Sequence, residues 1–120
     1  MKKLLSALFT AIFILSSIQL FAQKESKINT ETIEVEGMCG MCKKRIENAA
    51  YIKGVKRAEW NPETKKLTVV YNTKITSKEK IVHNIVKAGH DADGVQAEEK
   101  AVRELPACCN YRDPNNPHNH

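Results

Sequence analysis

Several things this sequence lacks narrow what it can do. Aromatic residues make up only 6% of the chain, with a single Trp. Its three basic clusters, Lys43-Lys44-Arg45, Lys56-Arg57 and Lys65-Lys66, are poor in aromatic neighbours. Nucleic-acid binding calls for a concentrated basic stripe, for single strands interleaved with stacking platforms, so these clusters read as solvated faces. No His follows Cys42, where Lys43 stands, which excludes a c-type haem attachment site. There is no internal repeat, which sets aside a repeat array. No cysteine lies near residue 22, so a lipid-modified N-terminus is not expected.

What is present begins with an address. Met1-Lys2-Lys3 is a short basic start, residues 4–21 are apolar with scattered Ser and Thr, and Ala22 offers a small residue for cleavage. This is the pattern of a signal peptide over residues 1–22, with export to the periplasm as its consequence. The rival reading is a retained membrane anchor, since the apolar run approaches spanning length. Removing Lys2 and Lys3 takes the 19 basic residues to 17 against 14 acidic ones, a net charge of +3. That is too weak and too dispersed to recruit nucleic acid. The remaining chain is one small domain with a modest core, so a bound metal would add usefully to its stability.

Residues 23–29 are polar and form a flexible lead-in. Residues 30–35 read as a strand, with Ile33 and Val35 on one face. From Gly40 to about Tyr51 the period becomes helical, with Cys42, Ile46 and Ala49-Ala50 on one side, and Gly54 closes the segment. Residues 55–60 are a second strand whose apolar Val55, Ala58 and Trp60 break alternation once, as a bulge does. A turn at residues 61–64 leads into the clearest strand, 67–71. A second helix runs from about Ser77 to Ala88. Thr76 and Glu79 have capping-box spacing, Ile81, Val82, Ile85 and Val86 form its apolar stripe, and Gly89 closes it. Residues 90–95 are read as a short last strand. The order β-α-β-β-α-β predicts an α+β ferredoxin-like sandwich, a four-stranded antiparallel sheet with two helices on one face. Residues 98–105 suggest a further short helix, and the tail after Pro106 reads as disordered by composition.

The densest chemistry is Gly37-Met38-Cys39-Gly40-Met41-Cys42. It places two thiols three residues apart where a strand gives way to a helix. The unsatisfied N–H groups of a helix N-terminus favour negative charge, and Lys43, Lys44 and Arg45 add positive charge. Both effects lower a thiol's pKa, so at least one of Cys39 and Cys42 is expected as thiolate near neutral pH. A thiolate pair on a Gly-containing loop suits a soft ion that accepts two near-linear ligands. Cu(I) suits it best and Hg(II) binds likewise, whereas Zn(II) and Cd(II) want further ligands. The same spacing also permits a reducible disulfide and thus a thiol-disulfide redox protein. Against that stand the short chain, without the longer βαβ framework of thioredoxin-like proteins, and the lack of a cis-Pro loop placed to cover the cysteines. A purely structural role for four cysteines in an oxidising compartment is the third reading, with three possible connectivities.

The Gly-Met and Cys-x-x-Cys motif in the first loop of a βαββαβ pattern resembles heavy-metal-associated domains. That family includes copper chaperones, the metal-binding modules of copper-transporting P-type ATPases and the periplasmic mercury-binding protein. The resemblance covers about residues 30–95, taking in Gly54-Val55 and Lys87-Ala88-Gly89; it implies a domain over residues 30–97 and leaves residues 98–120 as a C-terminal extension. It implies a non-enzymatic protein whose metal is held by Cys39 and Cys42. It further implies hand-over by thiolate exchange to a metal-transporting or metal-accepting partner, with the carrier a monomer or a metal-bridged dimer, free of the membrane once the signal is cleaved.

One departure is local. The family places one more residue between Met and the first Cys, whereas Met38 abuts Cys39. The loop is a residue shorter, which puts Met38 out of step with the family's buried Met. Met41 is then a candidate to turn inward or to offer its thioether to the metal, the plain alternative for both being core filling. His90 stands just after the Gly that ends the second helix, where many bacterial relatives carry Tyr. It is a candidate third ligand or a hydrogen-bond partner of a thiolate, or else an exposed loop His. His83 is read as structural. Cys108 and Cys109, outside the family's core, are candidates to join the metal, to pair with the loop as a redox lock, or to bridge two molecules; adjacent cysteines seldom bond each other. His118 and His120 are spaced to hold a metal weakly, though a terminal His-x-His is usually incidental.

Overall fold

The computed structural model describes residues 27–118. The segment read as a signal peptide, most of the lead-in, and His120 lie outside the described residues. Strand β1 (Ile28–Glu34), helix α1 (Gly40–Ala50), strands β2 (Val55–Asn61) and β3 (Lys66–Asn72), and helix α2 (Lys78–Lys87) follow in order. A short helix α3 (Glu99–Arg103) and a single 3₁₀ turn (Ala107–Cys109) complete the chain. No helix among the described residues is long and apolar enough to cross a membrane.

β3 lies at the centre of the sheet, antiparallel to β1 on one side and β2 on the other. Its alternation sends Leu67, Val69 and Tyr71 inward. Ile33 of β1 and Trp60 of β2 join them, and Ile46 and Ala50 of α1 with Ile81 and Ile85 of α2 cover that face. Each aliphatic side chain buried to this extent contributes roughly 1.5–3 kcal/mol. The break in alternation on β2 is a bulge between Val55 and Arg57. The Asn84 side chain donates to the Ala49 carbonyl at 2.8 Å, tying α2 to the last turn of α1.

Residues 90–95 do not form the expected fourth strand, and the sheet has three strands among the described residues. Residues 90–95 contribute two isolated bridges, Val35 with Ala92 and Ala92 with Val95. The cause is local: Asp93 (φ 52°) and Gly94 (φ 77°) take left-handed conformations that end an extended run after one bridge. The cap of α2 also differs from expectation. Ser77, not Thr76, is the N-cap, its hydroxyl accepting from the Lys80 N–H at 3.4 Å. The Thr76 hydroxyl is buried without a partner among the described residues.

The tail is ordered, against its reading as disordered. Cys109, Val102 and Leu105 enter the same core as the sheet. Asn116, 6% exposed, donates to the carbonyls of Ala107 at 3.1 Å and Asn110 at 2.9 Å. One amide side chain thus satisfies the turn's backbone, where composition suggested only solvation. Asp91 fastens the rest: its Oδ1 accepts from the Ala97 N–H at 2.7 Å and pairs with the Arg112 guanidinium at 2.7 Å. The Tyr111 hydroxyl accepts from the Asp91 N–H at 3.0 Å and lies 3.0 Å from the Gly89 carbonyl.

His90 is fully buried beneath this network. Its Nδ1 is 2.7 Å from the Glu36 carbonyl, and its ring stacks on Tyr111 with centroids 6.0 Å apart. The donor role at Nδ1 follows from the carbonyl being acceptor-only, which leaves Nε2 as the unprotonated nitrogen.

Two outcomes follow from this packing. Gly89 has φ +105°, and a Cβ there would lie 2.8 Å from the Ala101 carbonyl oxygen; Gly94 has φ +77° and open space around it. Gly89→Ala is therefore expected to cost about 2 kcal/mol or more and Gly94→Ala about 1 kcal/mol, read from urea midpoints. Burial, with a smaller contribution from the Arg45 charge, lowers the His90 pKa against the pull of the Glu36 carbonyl and Asp91. The unfolded chain then binds the proton more readily, so stability present above pH about 6.5 declines as pH falls below it. The slope of urea stability between pH 7 and 5 should flatten in His90→Gln; an unchanged slope would assign it to other groups.

Candidate metal centre

The loop between β1 and α1 is held low over the core by its glycine. A Cβ at Gly37 would come within 2.9 Å of Ile46 Cδ1 and 3.1 Å of the Trp60 ring, so only glycine lets the backbone pass there. The Trp60 indole N–H donates to the Val35 carbonyl at 3.0 Å, fixing the strand end that leads into the loop. Cys39 then takes the N-cap position of α1 in an extended conformation (φ −139°). Cys42 follows one turn later on the inner face, fully buried. Their sulfurs lie 3.9 Å apart and both are free thiols.

Burial acts to raise the Cys39 thiol pKa. It is outweighed by the N–H groups of Cys42 and Met41, with smaller help from Cys108 and Cys42, and the thiol sits below its ordinary value. The helix N-terminus therefore favours thiolate here, as the sequence suggested. Of the neighbouring cations, Lys43 is occupied elsewhere: it pairs with Glu47 and donates to the Trp60 carbonyl at 2.9 Å.

The extension brings its own cysteines to this loop. Cys108 Sγ lies 4.0 Å from Cys109 Sγ and 3.6 Å from Met41 Sδ. The Cys39 thiol points at the Cys108 carbonyl at 3.9 Å. The sulfurs of Cys39, Cys108 and Cys109 all lie within 4.8 Å of one another. Cys109 is fully buried, and burial with its Cys42 neighbour holds its thiol well above the ordinary range. All four cysteines thus meet at one helix N-terminus, and an all-thiol donor set of this kind suits soft ions.

The other candidates separate. Met41 is 51% exposed, so it neither turns inward nor fills the core, and its thioether lies at the rim beside Cys108. Met38 is partly buried and packs against the core. His90 is neither an exposed loop His nor a partner of a thiol: its buried Nε2 has no hydrogen-bond partner among the described residues. Burial displaced that reading, because Tyr111 covers the ring. His83 and His118 are exposed and outside the cluster. Sequence reasoning missed Tyr111, Arg112 and Asn116, which seat the tail. The available cue was an aromatic and a cation, Tyr111-Arg112, one residue beyond a cysteine pair, in a stretch otherwise polar.

No curated protein sequence matches the chain. Among solved structures, a CopZ metallochaperone is 33% identical, covering 53% of this chain and 98% of its own, with a TM-score of 0.51. A copper-binding domain from HMA7, a P-type ATPase, is 29% identical over 58% of this chain and 96% of its own, with a TM-score of 0.52. Oxidized MerP from Ralstonia metallidurans CH34 is 27% identical over 54% and 93%, with a TM-score of 0.51. Residues 32–91 match the heavy-metal-associated domain, a span that runs from the first strand through the cysteine loop to the residue that fastens the tail. That match covers half of the chain, which therefore belongs to the heavy-metal-associated domain family.

Proposed function

We propose that this protein binds a soft metal ion, Cu(I) foremost, through Cys39 and Cys42 as cargo in an exported compartment, for buffering or for transfer to a partner. The observation that carries the reading is the pair of free sulfurs 3.9 Å apart at the N-terminus of α1. Cys39 is partly exposed and inclined to thiolate, so it is the first sulfur an incoming ion or a partner's thiolate can meet. Cys42 is buried one turn in and would hold what Cys39 captures. Neighbours described as a metallochaperone and as a copper-binding domain of a P-type ATPase support copper and a transporter as partner. The resemblance of the cysteine loop to the periplasmic mercury-binding protein keeps Hg(II) as an alternative cargo and the periplasm as the setting. Binding moves no electrons: each coordinating thiol gives its proton to solvent. The family has no catalytic step to explain, and a heavy-metal-associated domain in place of a thioredoxin-like one disfavours the redox alternative.

Reduced protein is expected to bind about one equivalent of Cu(I) far more tightly than Zn(II). Cys39→Ala/Cys42→Ala should lower Cu(I) affinity by more than the 10–100-fold typical of a merely supporting residue, measured by competition with a chromophoric chelator. Full affinity in the double variant would defeat the reading, and insulin reduction at a thioredoxin-like rate would favour the redox protein. Thiol accessibility provides a pH test. Because alkylation follows thiolate, Cys39 should react first, its rate falling only below the pH where an ordinary thiol has already slowed. Cys109 should react last at every pH, as mapped by mass spectrometry of iodoacetamide-treated protein.

A further inference from the structure

We infer that Cys108 and Cys109 are ligands in their own right, so that this site encloses one soft ion with three or four thiolates rather than two. The inference rests on the metal-binding reading above and deepens it.

Distances carry the argument. Sulfurs arranged tetrahedrally around an ion at about 2.3 Å stand about 3.8 Å apart, against about 4.6 Å for two in line. The observed separations are 3.9 Å for Cys39 to Cys42 and 4.0 Å for Cys108 to Cys109. Cys39, Cys108 and Cys109 fall within 4.8 Å of one another. Three sulfurs are thus already close enough to share one ion, and Cys42, bonded into the set through Cys39 at 3.9 Å, would complete it by side-chain adjustment.

Seating is the second observation. Tyr111 and Arg112 anchor the chain one residue beyond the cysteine pair to Asp91, and Arg112 also donates to the Ala97 carbonyl at 3.0 Å. Asn116 returns to the turn and donates to the Ala107 carbonyl. Three of these contacts tie the tail to residues 91 and 97 and the fourth closes its own turn, so the chain itself holds Cys108 and Cys109 beside the cysteine loop. A pre-assembled site loses less entropy on binding. The chemistry that such a site takes is a closed-shell soft ion of higher coordination: Cu(I) held trigonally, or Zn(II) or Cd(II) held tetrahedrally. Each joining thiol releases one proton, and nothing is oxidised. The tail then acts as a clasp, and an acceptor must displace it before the cargo leaves.

The test counts sulfurs. Reduced protein carrying Met41→Leu, so that only thiolates are counted, is loaded with one equivalent of Cu(I) or of Cd(II) and studied by X-ray absorption. Three sulfurs on Cu(I) and four on Cd(II) are expected. Cys108→Ser, at a half-buried position that tolerates the change, should remove one sulfur from Cd(II) and weaken its binding at least 10-fold. Because Cys109→Ser buries a hydroxyl in the core, Arg112→Ala is the companion variant. It keeps all four thiols, loosens their seat, and should speed loss of Cd(II) to a chelator by about 10-fold. Two sulfurs on both ions, or counts and rates unchanged in Cys108→Ser and Arg112→Ala, would overturn the inference while leaving two-cysteine binding intact. No Cu(I) binding by the wild-type protein would instead remove the underlying reading.

Discussion

The side chain of Asp91 is the constraint on which the site's construction depends. It stands in the loop where a fourth strand was expected, and it accepts from a backbone N–H at residue 97 and a guanidinium at residue 112. The Tyr111 hydroxyl lies 2.9 Å from the same oxygen. Hydrogen bonds to a charged group partly screened from water net roughly 1.5–3 kcal/mol each. Their sum is comparable to the cost of ordering a tail of this length only if the tail also buries apolar surface, which Cys109 and Leu105 do. The loop exchanges a full ladder for short pairing with the end of β1, Asp93 N–H to the Glu34 carbonyl and Glu36 N–H to the Asp91 carbonyl, both at 2.9 Å, while the Asp91 carboxylate organises the extension.

That exchange explains why the metal-binding loop is not free-standing. In a domain ending after the second helix, Cys39 would face solvent over a shallow rim. Here the extension closes one side, covers His90 with Tyr111, and puts Cys108 against Met41. The consequence is a graded set of thiols. Cys39 is accessible and acidic, while Cys109 is buried and resists ionisation. An ion that reaches the site meets the willing ligand first and must supply its own charge to deprotonate the reluctant one.

Much of the fold was legible because its signals are local. The period-two run 67–71, the helical spacing of Ile81, Val82 and Ile85, and the skipped beat at Val55 to Ala58 each report an element or a bulge directly. The cysteine loop was legible for the same reason, since two thiols at a strand-to-helix junction need no distant partner to be noticed. Part of what escaped notice is local: Asp93-Gly94 is a dipeptide that marks turns, and its left-handed backbone leaves residues 90–95 with single bridges. The rest is non-local. That His90 is buried depends on Tyr111, 21 residues later. The Asn- and Pro-rich tail looked solvated because composition counts polar side chains without asking which of them satisfy backbone carbonyls, as Asn116 does.

The position of Met41 sharpens the chemical picture. A thioether in the core would be packing material, but this one sits at the rim, half exposed, against the most accessible thiol of the tail. Thioethers bind Cu(I) more weakly than thiolates and carry no charge, so Met41 can stabilise an ion in passage without holding it. Met41, Cys39 and Cys108 stand at the rim, and Cys42 and Cys109 are fully buried within. Burial rises along that path while ionisation becomes harder, from Cys39 to Cys109. A carrier built for rapid release would want its strongest ligands outermost, where an acceptor's thiolates can compete for the ion. On the four-thiolate reading two of the thiols, Cys42 and Cys109, are fully buried, so retention would rest on the Asp91 anchorage of the tail as well as on the metal-sulfur bonds themselves.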